Sequence, residues 1–183
     1  MEKERNYYKN TYHHLFNRGA NKVLIFFERE NYFYFLRRMK FYSQKYKIKI
    51  LAYCLMNNHF HLFIKQTDDF SISLFISSLL NSYVKSVNKK YKRTGTLFES
   101  KTKSRQISDE SYFKWIIKYI LVNPVKAGLA KIISDWEFSN ARDLFGLRNG
   151  NLTDIKYVES FFQSRNSMVE FLTHISIKVD YDF

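Results

Sequence analysis

Residues 48–65 read IKILAYCLMNNHFHLFIK, and this stretch carries the clearest structural pattern of the chain. Residues 48–56 are rich in β-branched, aromatic and other apolar side chains, and residues 59–65 form a second run of the same kind. The pair Asn57-Asn58 stands between the two runs, and asparagine is a common turn residue. The stretch therefore predicts an antiparallel β-hairpin whose second strand begins with a histidine.

Patterned segments on either side of this hairpin predict the other elements. Apolar residues at helical spacing predict amphipathic helices, and short aromatic or apolar runs beside turn residues predict strands. In chain order we expect a strand at 12–17, a helix at 30–46, the hairpin, a helix at 71–91, a strand at 105–107 and a helix at 111–123. This order is the split βαβ arrangement of ferredoxin-like folds, an α+β class with an antiparallel sheet. We expect the first and third strands to lie side by side.

Length and composition bound the organisation of the chain. Its 183 residues, 45% of them hydrophobic, suffice for one domain with a substantial core plus an appendage. The chain contains only five glycines and one proline, and no linker-like stretch divides it. We expect a main domain over residues 1–130, which includes the helix at 111–123. A mostly helical extension over residues 131–183 is expected to pack on that domain.

The charge balance points to a polyanionic partner. The chain carries 30 Lys and Arg residues against 17 Asp and Glu, a formal net charge of +13 at pH 7. Such an excess favours phosphate neutralisation and counterion release, so nucleic acid is the first candidate partner. Aromatic residues make up 19% of the chain. Rings among basic side chains suit stacking on single-stranded bases, although many of these rings are expected to fill the core.

Cysteine usage and hydropathy predict the compartment. The single cysteine, Cys54, excludes an intramolecular disulfide and a zinc cluster built on cysteines, and we expect it to be buried in a strand. The first ten residues are polar and charged, without the apolar core of a signal peptide. No run of about 18 apolar residues occurs, so a transmembrane helix is not expected. These features predict a cytoplasmic protein with no membrane partner.

Two histidines, His59 and His61, stand one residue apart in the second strand of the hairpin. Side chains alternate along a strand, so both imidazoles point to one face. Phe60, Leu62 and Ile64 point to the opposite face, where we expect them to pack on the helices. The imidazoles would then stand on the open face of the sheet. The pair is either a metal site or two histidines that line a sheet surface.

A metal ion held by two imidazoles would keep coordination positions open for oxygen ligands. Mixed nitrogen and oxygen ligation suits Mg²⁺ or Mn²⁺, with phosphate oxygens completing the shell. His13 and His14 lie in the predicted first strand, beside the strand that carries the pair. One of them could reach the site, or both are solvent-facing or packed histidines.

Five side chains fall at helical spacing on one face of the predicted helix at 111–123. They are Tyr112, Trp115, Ile116, Tyr119 and Asn123. An aromatic stripe is typical of a core-facing helix, but a carboxamide is costly on an apolar face without a partner, and the Asn123 oxygen could be a third, neutral metal ligand. Alternatively, Asn123 only ends the helix, because a residue before proline tends to leave the helical region.

Basic residues are concentrated over residues 85–105, where Glu99 is the only acid. They are Lys85, Lys89, Lys90, Lys92, Arg93, Lys101, Lys103 and Arg105. Such a run is often a solvated helix end and loop, but its position beside the histidines and the aromatic helix favours a phosphate-binding path for DNA. Arg18 and Lys22, which follow the first strand, could extend this path.

Four groups of residues resemble, in chain order, the motifs of REP-associated tyrosine transposases, which are single-tyrosine (IS200-like) transposases of the HUH nuclease superfamily. They are Tyr12-His13 with Asn17-Arg18-Gly19, Met56-Asn57-Asn58-His59-Phe60-His61-Leu62, Gly95-Thr96-Leu97-Phe98-Glu99, and Tyr119-Ile120 with Asn123-Pro124-Val125-Lys126-Ala127-Gly128-Leu129. The resemblance covers residues 7–146 and includes a segment at 136–145 with the family's Trp and Ser. Lys126 replaces a more common arginine, and the residues after 146 match poorly.

This resemblance implies a ferredoxin-like catalytic domain. His59, His61 and Asn123 would bind a divalent metal ion, Mg²⁺ or Mn²⁺. Tyr119 would be the nucleophile that cuts single-stranded DNA near hairpins, forms a 5′-phosphotyrosine and leaves a 3′-OH for rejoining. The implied partner is single-stranded DNA with hairpins. The REP-associated group resembles monomers that act in cis, whereas related insertion-sequence enzymes are dimers with swapped tyrosine helices, so we expect a monomer, with a dimer as the alternative.

Two other functions compete with the transposase hypothesis. A non-catalytic hairpin-binding protein or repressor could keep the fold and the charge, but it would not need the set His59, His61, Tyr119 and Asn123. A replication initiator or relaxase-like HUH nuclease is disfavoured by the motif at 123–129. A covalent protein–DNA adduct would separate the enzyme from the binding protein.

Overall fold

A four-stranded antiparallel sheet lies at the centre of the computed structural model, which describes residues 9–68 and 72–174. The strands are β1 (Tyr12–Arg18), β2 (Ile48–Leu55), β3 (His59–Gln66) and β4 (Lys103–Ile107). Their spatial order is β2-β3-β1-β4. The first and third strands are therefore neighbours, as predicted, and β2 and β4 form the two edges.

Among the described residues, three long helices cover the two faces of this sheet: α1 (Arg29–Lys45), α2 (Ile72–Lys90) and α3 (Phe113–Lys126). The predicted start of the second helix at residue 71 lies outside the described residues. The order of elements confirms the α+β, ferredoxin-like prediction. Across residues 9–68 and 72–174, none of the helices combines the length and the apolar character that crossing a membrane requires.

The first face of the sheet packs against α1 and α2. Phe60, Leu62 and Ile64 of β3 are fully buried in this layer, as the alternation along the strand predicts. Each of the two helices contributes an apolar stripe. The α1 stripe includes Phe35 and Met39. The α2 stripe consists of Ile72, Phe75, Leu79, Tyr83 and Val87. Burial of these aromatic and aliphatic side chains supplies most of the driving force for this layer.

The second face of the sheet is covered by α3, so the expectation of an open face is wrong. Phe63 of β3 lies on this face and packs with Phe113 of α3, their ring centroids 5.4 Å apart. His61 shares the face with Phe63, and only 6% of its surface is exposed. The apolar half of α3 excludes water from the sheet here, and Cys54 of β2 is fully buried in the same cluster, as predicted.

The helix α3 continues through Pro124 to Lys126, three residues beyond the predicted end. Pro124 lacks the N–H that would bond the Ile120 carbonyl. The Asn123 side chain compensates in part, because its Nδ2 lies 3.5 Å from the Ile120 carbonyl. The same Nδ2 donates to the Tyr119 carbonyl at 2.8 Å. The alternative that Asn123 ends the helix is therefore wrong.

The end of α3 is a glycine stop. Gly128 adopts a left-handed conformation with a φ of 68°, and its N–H donates to the Val125 carbonyl at 3.0 Å. The next residue, Leu129, donates to the Pro124 carbonyl at 2.8 Å. These two hydrogen bonds form a Schellman motif, which satisfies the last carbonyls of the helix.

The chain after residue 130 closes the free edge of β2. Up to residue 174 it contains three short α-helices, α4 (Ala141–Leu144), α5 (Ile155–Glu159) and α6 (Arg165–Thr173). The N–H of Leu55 donates to the Phe138 carbonyl at 2.9 Å, and the N–H of Asp154 donates to the Ile50 carbonyl at 3.3 Å. The backbone of the tail therefore takes hydrogen bonds that an open edge strand would leave to solvent.

The side chain of Asn140 reinforces this closure from within the protein. Its Oδ1 accepts the N–H of Tyr53 at 3.0 Å, and its Nδ2 donates to the Leu51 carbonyl at 3.0 Å and to the Thr153 hydroxyl at 3.2 Å. Asn140 is fully buried. The carboxamide thus joins β2 to two separate parts of the tail.

The tail is also tied to α3. Lys118 is 9% exposed, and its ammonium donates to the Phe171 carbonyl at 2.7 Å and to the carbonyl of His174. A cation at these carbonyls satisfies the C-terminus of α6 and its dipole. One buried cluster includes residues of α3 together with Val158, Met168 and Leu172, so the core runs across residue 130. The predicted domain boundary at that position remains a prediction.

We predict that Asn140→Ala lowers the free energy of unfolding by about 3 kcal/mol, because it leaves buried polar groups of Leu51, Tyr53 and Thr153 without their partner. Urea denaturation measures this loss. The matched control is Asn151→Ala, which removes an exposed carboxamide that accepts a hydrogen bond from Lys40 and should change stability by less than about 0.5 kcal/mol. Equal losses in the two variants would contradict a special role for Asn140.

Candidate active site

A cleft of about 260 Å³ opens between one end of the sheet and α3. Its lining includes all four residues that the sequence predicts for metal binding and nucleophilic attack. The lining residues are Phe16, Asn17, Arg18, His59, Phe60, His61, Glu99, Ser100, Lys103, Tyr119 and Asn123. Strand β3 supplies the histidines and α3 supplies the tyrosine and the asparagine, so the packing of α3 on the sheet brings the two motifs together.

The two histidines of β3 are held by partners on their Nδ1 atoms. Nδ1 of His59 lies 2.7 Å from Oδ1 of Asn58, in the turn that precedes the strand. Nδ1 of His61 lies 3.0 Å from Nε2 of His14. The rings of His59 and His61 are nearly perpendicular, with centroids 5.2 Å apart. In each histidine, a proton on Nδ1 would leave the lone pair on Nε2.

His14 is packed in the interior, one of the roles that the sequence left open for it, and it also contacts the site through His61. It is fully buried, and its ring stacks on that of His61 with centroids 5.2 Å apart. The contact follows from strand pairing, because Phe16 lies opposite His61 and His14 lies opposite Phe63 on the same face. His13 points to the other face and is bonded to Thr11 and Ser104.

Burial keeps these imidazoles neutral. Desolvation lowers the pKa of His14 to about 3, with a further contribution from Arg105. Desolvation also holds the pKa of His61 well below its ordinary value, assisted by the neighbouring histidines. The pKa of His59 is lowered by burial first and then by the Arg18 charge. Neutral imidazole is the form that binds metal ions, so the electrostatics of the cleft suit ligation at neutral pH.

Tyr119 stands edge-on to the two buried histidines. Its ring centroid lies 5.6 Å from that of His61 and 5.9 Å from that of His14. Burial raises the pKa of the Tyr119 hydroxyl, and a hydrogen bond with the Asn123 side chain opposes this change. The hydroxyl is therefore protonated at neutral pH, and its activation as a nucleophile requires a proton acceptor or a polarised electrophile.

The donor set of the cleft fits a divalent cation that also binds phosphate. Two imidazole Nε2 atoms and the Oδ1 of Asn123 would be the protein ligands, since the Asn123 nitrogen is engaged with the Tyr119 carbonyl. Partners on the outer nitrogens of ligating histidines are a regular feature of metal sites. Within the described ranges, no group of three or more His, Cys, Asp or Glu side chains is arranged around a metal position. The shell would thus depend on an amide and on oxygens from outside the protein.

Three of the predicted DNA-binding residues lie at or beside the cleft. Arg18 lines it and forms an ion pair with Glu99 at 3.0 Å. Lys103 also lines it, at the start of β4. Arg105 pairs with His14 across the strands and therefore shares the sheet face of the cleft. These three cations could contact phosphates close to Tyr119.

The other predicted DNA-binding residues lie on the α2 side of the sheet or in loops, so the basic run is not a single stripe. Lys85, Lys89 and Lys90 belong to α2, Lys92 and Arg93 follow it, Lys22 lies in the turn after β1, and Lys101 lies just before β4. Lys90 is bound to Glu28, and the Arg93 guanidinium stacks 5.4 Å from the Phe27 ring centroid. These contacts make the charged groups of Lys90 and Arg93 less available to DNA phosphates.

Three predicted members of the aromatic face do not line the cleft, and one of them, Ile116, is buried in the core. Trp115 is 39% exposed and packs edge-on against Phe171 of α6, and Tyr112 precedes α3 in a 3₁₀ turn. Conversely, Phe16 and Asn17 line the cleft without having been predicted. The signal for Asn17 was its place in the motif that also holds Arg18. No local pattern marks Phe16.

Comparison with known proteins identifies the family. A family model described as "Transposase IS200 like" matches residues 6–123. The structure of a REP-associated tyrosine transposase bound to a REP hairpin is 19% identical, with a TM-score of 0.65 over 84% of this chain and 94% of that chain. A proposed transposase from Deinococcus radiodurans R1 is 17% identical, with a TM-score of 0.46 over 66% of this chain and 95% of that chain. No match was found among curated proteins.

The family match covers the strands and α2 as well as most of α3, and so includes His59, His61, Tyr119 and Asn123. The likeness to the REP-associated transposase supports the ferredoxin-like fold independently of the family model. The sequence resemblance to single-tyrosine transposases is therefore confirmed. The chain belongs to the IS200-like transposase family.

Proposed function

We propose that this protein is a metal-dependent transposase that cuts and rejoins single-stranded DNA near hairpins through a 5′-phosphotyrosine intermediate. The observation that carries the proposal is the meeting of Tyr119 with His59, His61 and Asn123 in one cleft. A protein that only bound DNA would have no need of a tyrosine hydroxyl beside two neutral imidazoles. Family membership supports the same reaction class.

The proposed reaction is a transesterification. The Tyr119 oxygen attacks the phosphorus of the scissile phosphodiester, a bond from that oxygen to phosphorus forms, and the bond to the 3′ oxygen breaks. The tyrosine proton is lost to solvent, and the 3′ oxygen takes up a proton as it leaves. Attack by a 3′-OH on the phosphotyrosine reverses these steps and rejoins a strand.

The protein residues position the reactants. Packing of the Tyr119 ring against His61 and His14 restricts where its hydroxyl can go, which favours one line of attack on a phosphate in the cleft. Arg18 and Lys103 would bind the flanking phosphates. A divalent cation bound by His59, His61 and Asn123 would polarise the scissile phosphate and compensate for the raised pKa of the tyrosine.

We propose that the enzyme acts as a monomer in cis on a DNA hairpin with an adjacent single strand. Tyr119 meets the histidines of its own chain, and α3 is anchored by Lys118 to the C-terminal end of α6. Both features favour a tyrosine helix that stays with its own sheet. The similar REP-associated transposase was solved bound to a REP hairpin, which supports the choice of DNA partner.

We predict that Tyr119→Phe abolishes cleavage of a cognate single strand and abolishes the covalent protein–DNA adduct, because it removes only the attacking oxygen. Denaturing gel electrophoresis with labelled DNA detects the adduct. Tyr112→Phe is the control, since Tyr112 does not line the cleft, and it should keep full adduct formation. An adduct formed by Tyr119→Phe would refute the assignment of the nucleophile. A wild-type protein that binds hairpins but never forms an adduct would favour the non-catalytic binder.

We predict that His59→Ala weakens Mn²⁺ binding by at least about 10-fold, as loss of one of few ligands should. Isothermal titration calorimetry measures this affinity without DNA. His174→Ala, which removes an exposed imidazole far along the chain, should bind Mn²⁺ as the wild type does. Unchanged Mn²⁺ affinity in His59→Ala would exclude this residue as a ligand. His61→Ala is less suitable, because its buried contact with His14 makes a loss of stability the expected result.

We predict that Lys103→Gln reduces the salt dependence of single-strand binding. Each phosphate neutralised on a single strand contributes about −0.7 to the slope of log affinity against log salt, so the slope should flatten by about 0.7. Fluorescence anisotropy over a range of NaCl concentrations measures it. Lys156→Gln on α5 is exposed and distant in sequence from the cleft residues, and it should keep the wild-type slope. Identical slopes in all three proteins would place the DNA elsewhere.

A further inference from the structure

A second cavity, of about 620 Å³, lies on the opposite side of the sheet from α3. It is bounded by α2, by the segment 95–102 and by the ends of β1 and β4. The core side chain of Leu15 forms part of its floor, and Leu97 forms another part. Its volume is in the range of ligand-binding pockets and exceeds that of the cleft at Tyr119.

A second apolar stripe of α2 packs at the margin of the core and forms one wall of the cavity. Ile76, Leu80 and Val84 follow one another at intervals of four residues and are only partly buried. These three side chains line the cavity together with Phe98, whose ring is also partly buried. The pocket therefore offers an apolar wall and an aromatic ring to whatever enters it.

The polar groups of the cavity are almost all uncharged. Hydroxyls and amides line it, from Ser73, Ser77, Asn81, Thr96, Ser100, Thr102, Ser104 and Asn17. Asn17 is 5% exposed and is fixed by hydrogen bonds to the Ser100 carbonyl at 2.9 Å and to the Thr102 hydroxyl at 3.3 Å. Glu99, the one acid among the described residues of the lining, is paired with Arg18. A phosphate inside would find few charges to bind, whereas a flat heterocycle would find both apolar contact and hydrogen-bonding groups.

Cations stand at the margin of the cavity, where a backbone would pass. Lys101 is exposed and belongs to the lining. Lys85 is exposed and follows Asn81 by one turn of α2, on the same face of the helix. An apolar pocket with basic residues at its margin matches the arrangement by which proteins hold single strands, with bases stacked inside and phosphates tracked outside.

The cavity and the cleft are neighbours. Asn17, Glu99 and Ser100 line both of them. A strand whose phosphate lies beside Tyr119 would therefore need to pass only the loop at 99–102 to bring a base to the cavity. This continuity favours the strand in the cleft as the source of the occupant.

We propose that the cavity between α2 and the segment 95–102 binds an unstacked nucleobase of the single strand that occupies the cleft. Leu80, Val84 and Phe98 contact the faces of the base, and the hydroxyl and amide groups bond its edges. Lys101 and Lys85 contact the adjoining phosphates. This inference rests on the proposed function, because it takes the cleft as the position of the strand.

The test compares an oligo(dA) strand with an abasic oligomer of equal length, each titrated by fluorescence anisotropy at one salt concentration. The ratio of the two affinities reports the contribution of the bases. Leu80→Trp, which fills the cavity, should reduce this ratio by about 10-fold, because it removes the stacking of one base. The affinity for the abasic oligomer should stay within twofold. Ser77→Trp fills the cavity from an exposed position at its margin. It tests the same prediction if Leu80→Trp fails to fold.

Leu74→Trp is the control, because Leu74 lies on α2 at 50% exposure and does not line the cavity. It should leave the ratio unchanged. A wild-type ratio in both Leu80→Trp and Ser77→Trp would overturn the proposal, and so would an equal loss of affinity for both oligomers, which would mean that the cavity holds backbone. A wild-type protein that binds neither oligomer would instead overturn the proposed function.

Discussion

The packing of α3 on the second face of the sheet is the interaction on which the rest of the structure depends. Its apolar half covers Phe63, and this contact sets the position of the polar half that carries Tyr119 and Asn123. The same packing shields His14 and His61 from water, which lowers their pKa values. The packing that stabilises the fold therefore also sets the protonation of the site, because the imidazoles near the tyrosine lie in the buried interior.

The order of elements could be predicted because each has a local signal: helical spacing in α2, alternation in β3 and asparagines at the turn. The meeting of Tyr119 with His59 could be expected only through family resemblance, since the two residues lie far apart in the chain. The contact between His14 and His61 could not be predicted, because it depends on the register between β1 and β3. The burial of this face could have been expected from Phe63, because alternation along β3 places this apolar side chain on the same face as His61.

The segment from Asn123 to Leu129 combines two tasks. Asn123 faces the cleft and at the same time bonds the Tyr119 carbonyl one turn earlier, next to the position where Pro124 removes a donor. Gly128 then ends the helix in a conformation that other residues adopt at a cost. The motif at 123–129 therefore combines a residue that lines the cleft with residues that shape the end of a helix. Its proline and glycine have a structural role that needs no contact with DNA.

The closure of the β2 edge has a consequence for how the chain is made. Tyr53 and its partner Asn140 are 87 residues apart, so the hairpin leaves the ribosome long before the segment that covers it. During that interval the outer N–H and C=O groups of β2 form a template that could recruit a strand from another nascent chain. The late-synthesised tail therefore covers an edge that is open to strand pairing until the tail folds, and it also completes the core.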